Sequence, residues 1–363
     1  MPVTEPTIPE AITEPAAPAL PTRGGTHWEY YRSLLSEKQQ TYYDQIVQAI
    51  NIQSPQVKNI RGVTREQLEQ IMDALRMDHP EFFWLDNEYQ TTMYTGVGDP
   101  YFSLELSYVM DAAQREQTQA RLDAKLEPLL ADLEGLDEWS RLKRIYDYLI
   151  DNSVYLAGDQ DQAMTSLILD GAGVCAAYAK ATKYLAELAG LPCIYITGDA
   201  DNGTGTDLHA WNIVRVNGAN YEIDTTWGDP VNEDGTQTLR YDYFCLTTDE
   251  MNRDHTRSKD YVLPICTAID CNYYRKCGLW FESYDEEKLY ALCRDAMLTG
   301  ETLSVRFSDQ IPFDEVSALL TEGDEPRVAQ FCRRFEEETG RHLSGWVYTL
   351  NEKLGILDLA FHY

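Results

Sequence analysis

A chain of 363 residues is too long for one ordinary hydrophobic core and suits two or three domains, and its 44% hydrophobic content is enough to pack them. Sixty acidic residues against thirty basic ones give a formal charge of −30, with no Lys/Arg-rich run as a local exception, so nucleic acid and anionic membrane surfaces are poor partners. The charge reads as a well-solvated acidic surface, with a preference for cationic substrates as the minor alternative. No stretch approaches the ~18 to 20 consecutive apolar residues of a transmembrane segment.

The opening MPVTEPTIPEAITEPAAPALPTRGG is about a quarter proline and has no hydrophobic period, so residues 1–25 are expected to form an extended, disordered linker. It shows no signal-peptide pattern. Such a tether fits between a cell-surface anchor and a folded domain, with a leader trimmed away. Tyr, Leu, Ile and Val at helical spacing predict a helix over 27–50. Thr64 and Gln67 have capping-box spacing and open a second helix that runs to about Met77 and stops at His79-Pro80. Phe82 to Tyr94 and Phe102 to Met110 read as strands, completing a small α/β subdomain over 26–111. Two amphipathic helices follow over 112–133 and 136–152, the second presenting Leu142, Ile145, Tyr146 and Leu149 on one face.

Gly171-Ala172-Gly173 is a flexible turn before a helix over 174–189, which Gly190 and Pro192 terminate. Residues 193–197 form a short strand. Strands over 208–216 and 219–226 are joined by Asn217-Gly218, a strong hairpin signal. From about residue 266 the order is strand, helix, strand, two helices and two strands at 344–349 and 355–362, read as a separate C-terminal α/β domain.

Cys175 falls in the first turn of its helix, where unpaired amides and the helix dipole favour an anion and so the nucleophilic thiolate. The same amides can face an oxyanion when a carbonyl is attacked. A two-residue Asn217-Gly218 turn sets Val216 opposite Ala219, Trp211 opposite Asp224 and His209 opposite Thr226. His209 and Asp224 then share one face as diagonal neighbours, roughly 7 to 8 Å apart at the backbone. That lets the carboxylate hold one imidazole nitrogen while the other faces a thiol, the nucleophile–base–orienter arrangement. A slip of one residue would put the two side chains on opposite faces. Taken singly, a strand histidine, a strand aspartate and a helix-start cysteine are each ordinary structural residues; their joint placement is what points to chemistry.

Eight cysteines occur, and if Cys175 is a free thiol an odd number remains. Cys266, Cys271 and Cys277 contain no C-x-x-C, so plain thiols are favoured there over a disulfide or a zinc site.

The segments DGAGVCAAYA, LHAWNIV and NYEIDTTWGDP, in this order, resemble the Cys, His and Asp motifs of the bacterial transglutaminase-like superfamily, above all its multi-domain cell-surface members in Gram-positive bacteria. The resemblance covers about 136–275, including YDYFCLTTDEMNRDHT, with weaker likeness in HPEFFWLD. It implies an α+β chain with a papain/transglutaminase-like core, a nucleophile helix packed on an antiparallel sheet, over 112–265. It also implies Cys175 as nucleophile, His209 as base, Asp224 as orienting acid, and Trp211, Trp227 and Tyr178 as substrate-binding or wall residues. Ala177 and Thr165 depart from the family pattern, which bears on substrate preference more than on activity. The implied reaction is thiol-dependent acyl transfer or hydrolysis on peptide or glutamine-type amides, without metal or cofactor. The implied partner is a protein or peptide, cell-wall associated, in an extracellular or cell-surface setting. The rival reading is a non-catalytic binding or scaffold module.

Overall fold

The computed structural model describes residues 28–96, 98–158, 161–229 and 239–363; the expected linker over 1–25 lies outside them. The chain divides into two units. The first takes residues up to Ile196 together with Lys259–Pro264, and the second takes Thr197–Ser258 together with Ile265–Tyr363.

In the first unit, the helix expected over 27–50 is two helices, α1 (Tyr30–Ser33) and α2 (Glu37–Asn51). The break has a local cause. The Ser36 side chain accepts from the Gln39 amide while the Gln39 side chain reaches back to the Ser36 amide, a capping box that starts a new helix. β1 (Gln56–Arg61) was not anticipated, because a bulge between Val57 and Ile60 interrupts its pairing with β3 and erases the two-residue alternation. α3 (Arg65–Asp78) begins at the Thr64–Gln67 capping box, as read from the sequence. β2 (Leu85–Gly96) starts later than expected, since 82–85 is a turn in which the Phe82 carbonyl accepts from the Leu85 amide. With β3 (Gly98–Tyr108) these strands form a sheet in the order β1-β3-β2.

α4 (Ala112–Asp132) and α5 (Glu138–Asp151) follow, and the four apolar residues assigned to one face of α5 are all buried. β4 (Val154–Tyr155) pairs in parallel with β5 (Ala172–Gly173), and between them Ser166–Asp170 forms a π-helical turn. The glycine turn expected before the cysteine is thus tied to a strand. α6 (Cys175–Leu188) packs on α5. At its far end Lys183, fully buried, donates to Glu187 (2.5 Å), to the Cys193 carbonyl (2.7 Å) and to the Trp28 carbonyl (3.3 Å).

β6 (Cys193–Asp201) carries the chain from the first unit into the second. It belongs to a four-stranded sheet in the order β8-β7-β6-β9, with β7 (Thr206–Val216) and β8 (Ala219–Ile223) as the hairpin. α7 (Thr248–Met251) precedes β9 (His255–Arg257). The hairpin register is as expected, with Val216 opposite Ala219 through to Asn212 opposite Ile223, and Asn217 and Gly218 both at positive φ (52° and 81°). After α8 (Tyr273–Lys276), the elements are β10 (Trp280–Phe281), α9 (Glu286–Thr299), β11 (Leu303–Phe307), α10 (Phe313–Thr321), α11 (Arg327–Thr339), β12 (Gly345–Asn351) and β13 (Ile356–His362). Their sheet runs β10-β11-β13-β12, and Phe281, Leu289, Val305, Phe331, Phe335 and Leu357 are among its core. The mixture of helix and sheet is the α+β class expected. Among the described residues no two cysteines form a disulfide. Among the described residues no helix is long and apolar enough to cross a membrane.

Candidate active site

Cys175 is the first residue of α6, half-buried, with Val174 in extended backbone as the N-cap. Gly173 allows this approach. A Cβ there would stand 2.7 Å from the Ala177 Cβ and 3.0 Å from the Asp161 carbonyl oxygen, closer than real side chains pack. The Asp161 carbonyl in turn accepts from the Val174 amide at 3.0 Å, fixing the chain just ahead of the thiol. Tyr178, one turn along α6, is fully buried, its ring stacked 6.5 Å from that of Tyr155.

The second unit gathers His209, Asp224, Trp211 and Trp227. The His209 Nε2 lies 2.7 Å from Asp224 Oδ2, with the carboxylate wholly buried. The contact forms although β8 ends one residue before Asp224, three short of the expected Thr226. Asp224 Oδ1 accepts from the amides of Thr226 (2.8 Å) and Trp227 (3.2 Å), so the aspartate turns the chain out of the strand while its other oxygen holds the histidine. The Asp224 amide donates to the Tyr243 carbonyl at 3.0 Å.

Sequence reasoning missed His255. At the start of β9, its Nε2 lies 3.1 Å from the same Asp224 Oδ2 and its Nδ1 2.6 Å from Asp254 Oδ1. Tyr243 donates its hydroxyl to Asp254 Oδ2 at 2.7 Å. The available signal is the adjacent Asp254-His255 pair inside the YDYFCLTTDEMNRDHT segment.

Three aromatic rings enclose the relay. Trp211, fully buried, lies near-parallel to His209 at 6.0 Å and edge-on to His255 at 5.0 Å. Its indole N–H donates to Glu222 Oε2 at 2.8 Å, and Glu222 Oε1 accepts from Arg257 at 2.6 Å, which fixes the ring. Trp227 lies 5.8 Å from His209 and 4.5 Å from His255, and edge-on to Tyr243 at 5.0 Å.

Burial would raise the Asp224 pKa, but the adjoining His209 and the hydrogen bonds from His209 and His255 outweigh it and hold the acid well below the usual carboxylate range. Burial would lower that of His255, and its two carboxylate partners reverse the sign and raise it. The ring nitrogens of His209 and His255 and the Asp224 oxygen lie within 4.8 Å of one another, close enough for a cation to be considered. Yet both ring nitrogens meet the same carboxylate oxygen at hydrogen-bond distance, so these donors are engaged with one another. The arrangement reads as a proton relay.

A carboxylate accepts only, so His209 carries its proton on Nε2 and its lone pair on Nδ1. The pair can therefore take a proton at Nδ1 and stabilise the resulting imidazolium.

Residues 130–225 match the family model described as Transglutaminase-like superfamily. No curated protein matches the chain. Similar solved structures include a proposed cysteine protease from Cytophaga hutchinsonii, at 19% identity and a TM-score of 0.26 over 38% of this chain and 61% of that one. A TGase is similar at 13% identity and a TM-score of 0.29, over 46% of this chain and 50% of that one. The periplasmic domain of TgpA from Pseudomonas aeruginosa is similar at 15% identity and a TM-score of 0.23, over 39% and 63%. The chain thus spans less than two-thirds of the length of each of these structures. Cys175, His209 and Asp224 all fall within the matched segment, and residues 130–225 constitute a transglutaminase-like superfamily domain.

Proposed function

We propose that the chain is a thiol acyl-transfer enzyme acting on peptide or glutamine-type amides, with Cys175 as nucleophile, His209 as general base and acid, and Asp224 as the group that fixes the histidine tautomer. The observation that carries this reading is the 2.7 Å contact between His209 Nε2 and buried Asp224, which leaves the imidazole lone pair on Nδ1. The helix-start position of Cys175 supports the nucleophilic role. The scaffold reading leaves this buried histidine–carboxylate relay without a role.

In the proposed reaction His209 Nδ1 takes the Cys175 thiol proton and the sulfur adds to the amide carbonyl carbon. The C–N bond then breaks as the same proton passes to the departing amine, leaving a thioester. Water or a second amine attacks the thioester, giving up a proton through His209, and the thiol is restored. Hydrolysis results in the first case and cross-linking in the second. The Pro-rich start of the sequence and the resemblance of its motifs to those of cell-surface proteins support an extracellular or cell-surface setting, with a protein or peptide partner at the cell wall.

The test is to incubate the protein with a peptide library, with and without a free primary amine, and to read product masses. Cleaved, deamidated or amine-coupled peptides that vanish in Cys175→Ala are expected. Products that persist in that variant, or none from the wild-type protein on any amide, would contradict the proposal.

A further inference from the structure

His255 is bonded by carboxylates at both ring nitrogens. Its Nε2 faces Asp224 Oδ2 at 3.1 Å and its Nδ1 faces Asp254 Oδ1 at 2.6 Å. Neither acid is arranged to give a proton. Asp224 already accepts from two backbone amides and His209, and Asp254 accepts the Tyr243 hydroxyl. An ionised carboxylate has no proton to donate, so each must receive one from the ring, and an imidazole that donates at both nitrogens is an imidazolium. The ring is 1% exposed, so water cannot take the place of either acid. Among the described residues, the titratable groups facing it are Asp224, Asp254, the His209 ring at 5.3 Å and the Tyr243 ring at 5.5 Å; Trp211 and Trp227 supply the uncharged walls.

We propose that His255 is a buried imidazolium that positions Asp224 and sets the basicity of His209. Its catalytic consequence rests on the acyl-transfer reading above; its charge state does not.

Charge accounting gives the effect a sign. Two carboxylates and one imidazolium carry a net charge of about −1, which His209 balances when it takes up the thiol proton. Replacing His255 with a neutral amide leaves about −2 beside His209. Its imidazolium is then held more tightly, and the alkaline limb of the pH profile, where His209 loses that proton, moves to higher pH. Removing a charged donor also loosens Asp224, so kcat falls about tenfold to a hundredfold, the scale of one hydrogen bond to a charged group. KM should stay unchanged, because the role assigned to His255 runs through Asp224 rather than through substrate.

Two measurements test this on the full chain. In the wild-type protein, nitrogen-15 imidazole spectra should show both His255 nitrogens protonated from about pH 5 to about pH 9, beyond the range of an ordinary histidine. A His255 that turns neutral within that range overturns the inference, and no variant has to fold for this result. In His255→Gln, the pH profile of Cys175 alkylation should show its alkaline limb displaced upward, and turnover should lose kcat without a change in KM. A lower rate with the limb in place would reduce His255 to packing and overturn the inference. A wild-type protein inert towards every amide but with a doubly protonated His255 and the displaced alkylation limb would sink the acyl-transfer reading and uphold this one.

Discussion

Asp224→Asn is the substitution that separates orientation from packing. The carboxylate accepts from His209 at 2.7 Å, from His255 at 3.1 Å, and from the amides of Thr226 and Trp227 at 2.8 and 3.2 Å. An asparagine of the same shape can keep its oxygen towards the two amides, and its NH2 group then faces two ring N–H groups. The conflict is relieved when His255 gives up its Nε2 proton and His209 shifts its own to Nδ1 and accepts at Nε2. That is the wrong tautomer, because the lone pair needed for the thiol proton is gone. The expected loss in acylation is about three to four orders of magnitude, the cost of a misplaced tautomer in a triad. Stability should fall by only about 1–3 kcal/mol, since these two proton changes restore most of the hydrogen bonding. Single-turnover acylation by an activated ester and a urea melt measure the two effects. Acylation within about tenfold of wild type would remove Asp224 from the mechanism. A collapse of stability together with activity would make its role structural.

Other consequences follow from specific contacts. Lys183→Met should destabilise the fold by about 3–5 kcal/mol by urea denaturation, because it leaves buried Glu187 without its cation, and adding Glu187→Leu should recover part of the loss. Gly198→Ala should reduce both stability and activity, since a Cβ there would stand 2.1 Å from the Thr256 carbonyl oxygen and 2.8 Å from the Trp211 ring; unchanged melts would refute that packing. The Asp224 pKa is depressed, so its stabilisation is in full above about pH 4 and is lost as the pH falls towards the folded-state value. The His255 pKa is raised, so its contribution is complete below about pH 6.5 and is lost as the pH rises through its folded value. Urea melts across pH should therefore show the gap between wild type and Asp224→Asn narrowing below about pH 4, and a constant gap would contradict the assignment.

Much of the site was legible because local chemistry dictates it. Asn217-Gly218 admits a two-residue turn, that turn sets the register, and the register brings His209 to Asp224. Thr64 with Gln67 marks a helix start for the same reason. Ser36 with Gln39 carries an identical signal inside an unbroken apolar period, so in the sequence α1 and α2 resemble one helix. β1 left too little to read, since only Val57 and Ile60 of its six residues are buried and the bulge sets them out of step. His255 was hidden for another reason. It sits 31 residues beyond Asp224 on a three-residue strand whose pairing with β6 is purely tertiary, so no spacing rule connects the two. The Glu222 and Arg257 contacts that hold the Trp211 indole join residues 11 and 35 positions apart on different strands, and no local pattern marks them.

The most direct test of the proposed chemistry is the rate at which iodoacetamide labels each cysteine near neutral pH, read by peptide mass in wild type and in His209→Ala. Burial pushes the thiols of Cys266 and Cys293 up to about 12 and that of Cys332 to about 11, and exposed Cys277 serves as the accessible comparison. Cys175 should react far faster than Cys277 in the wild-type protein and lose that advantage in His209→Ala. Equal rates at the two cysteines, or a Cys175 rate indifferent to the loss of His209, would contradict a thiol–imidazole pair.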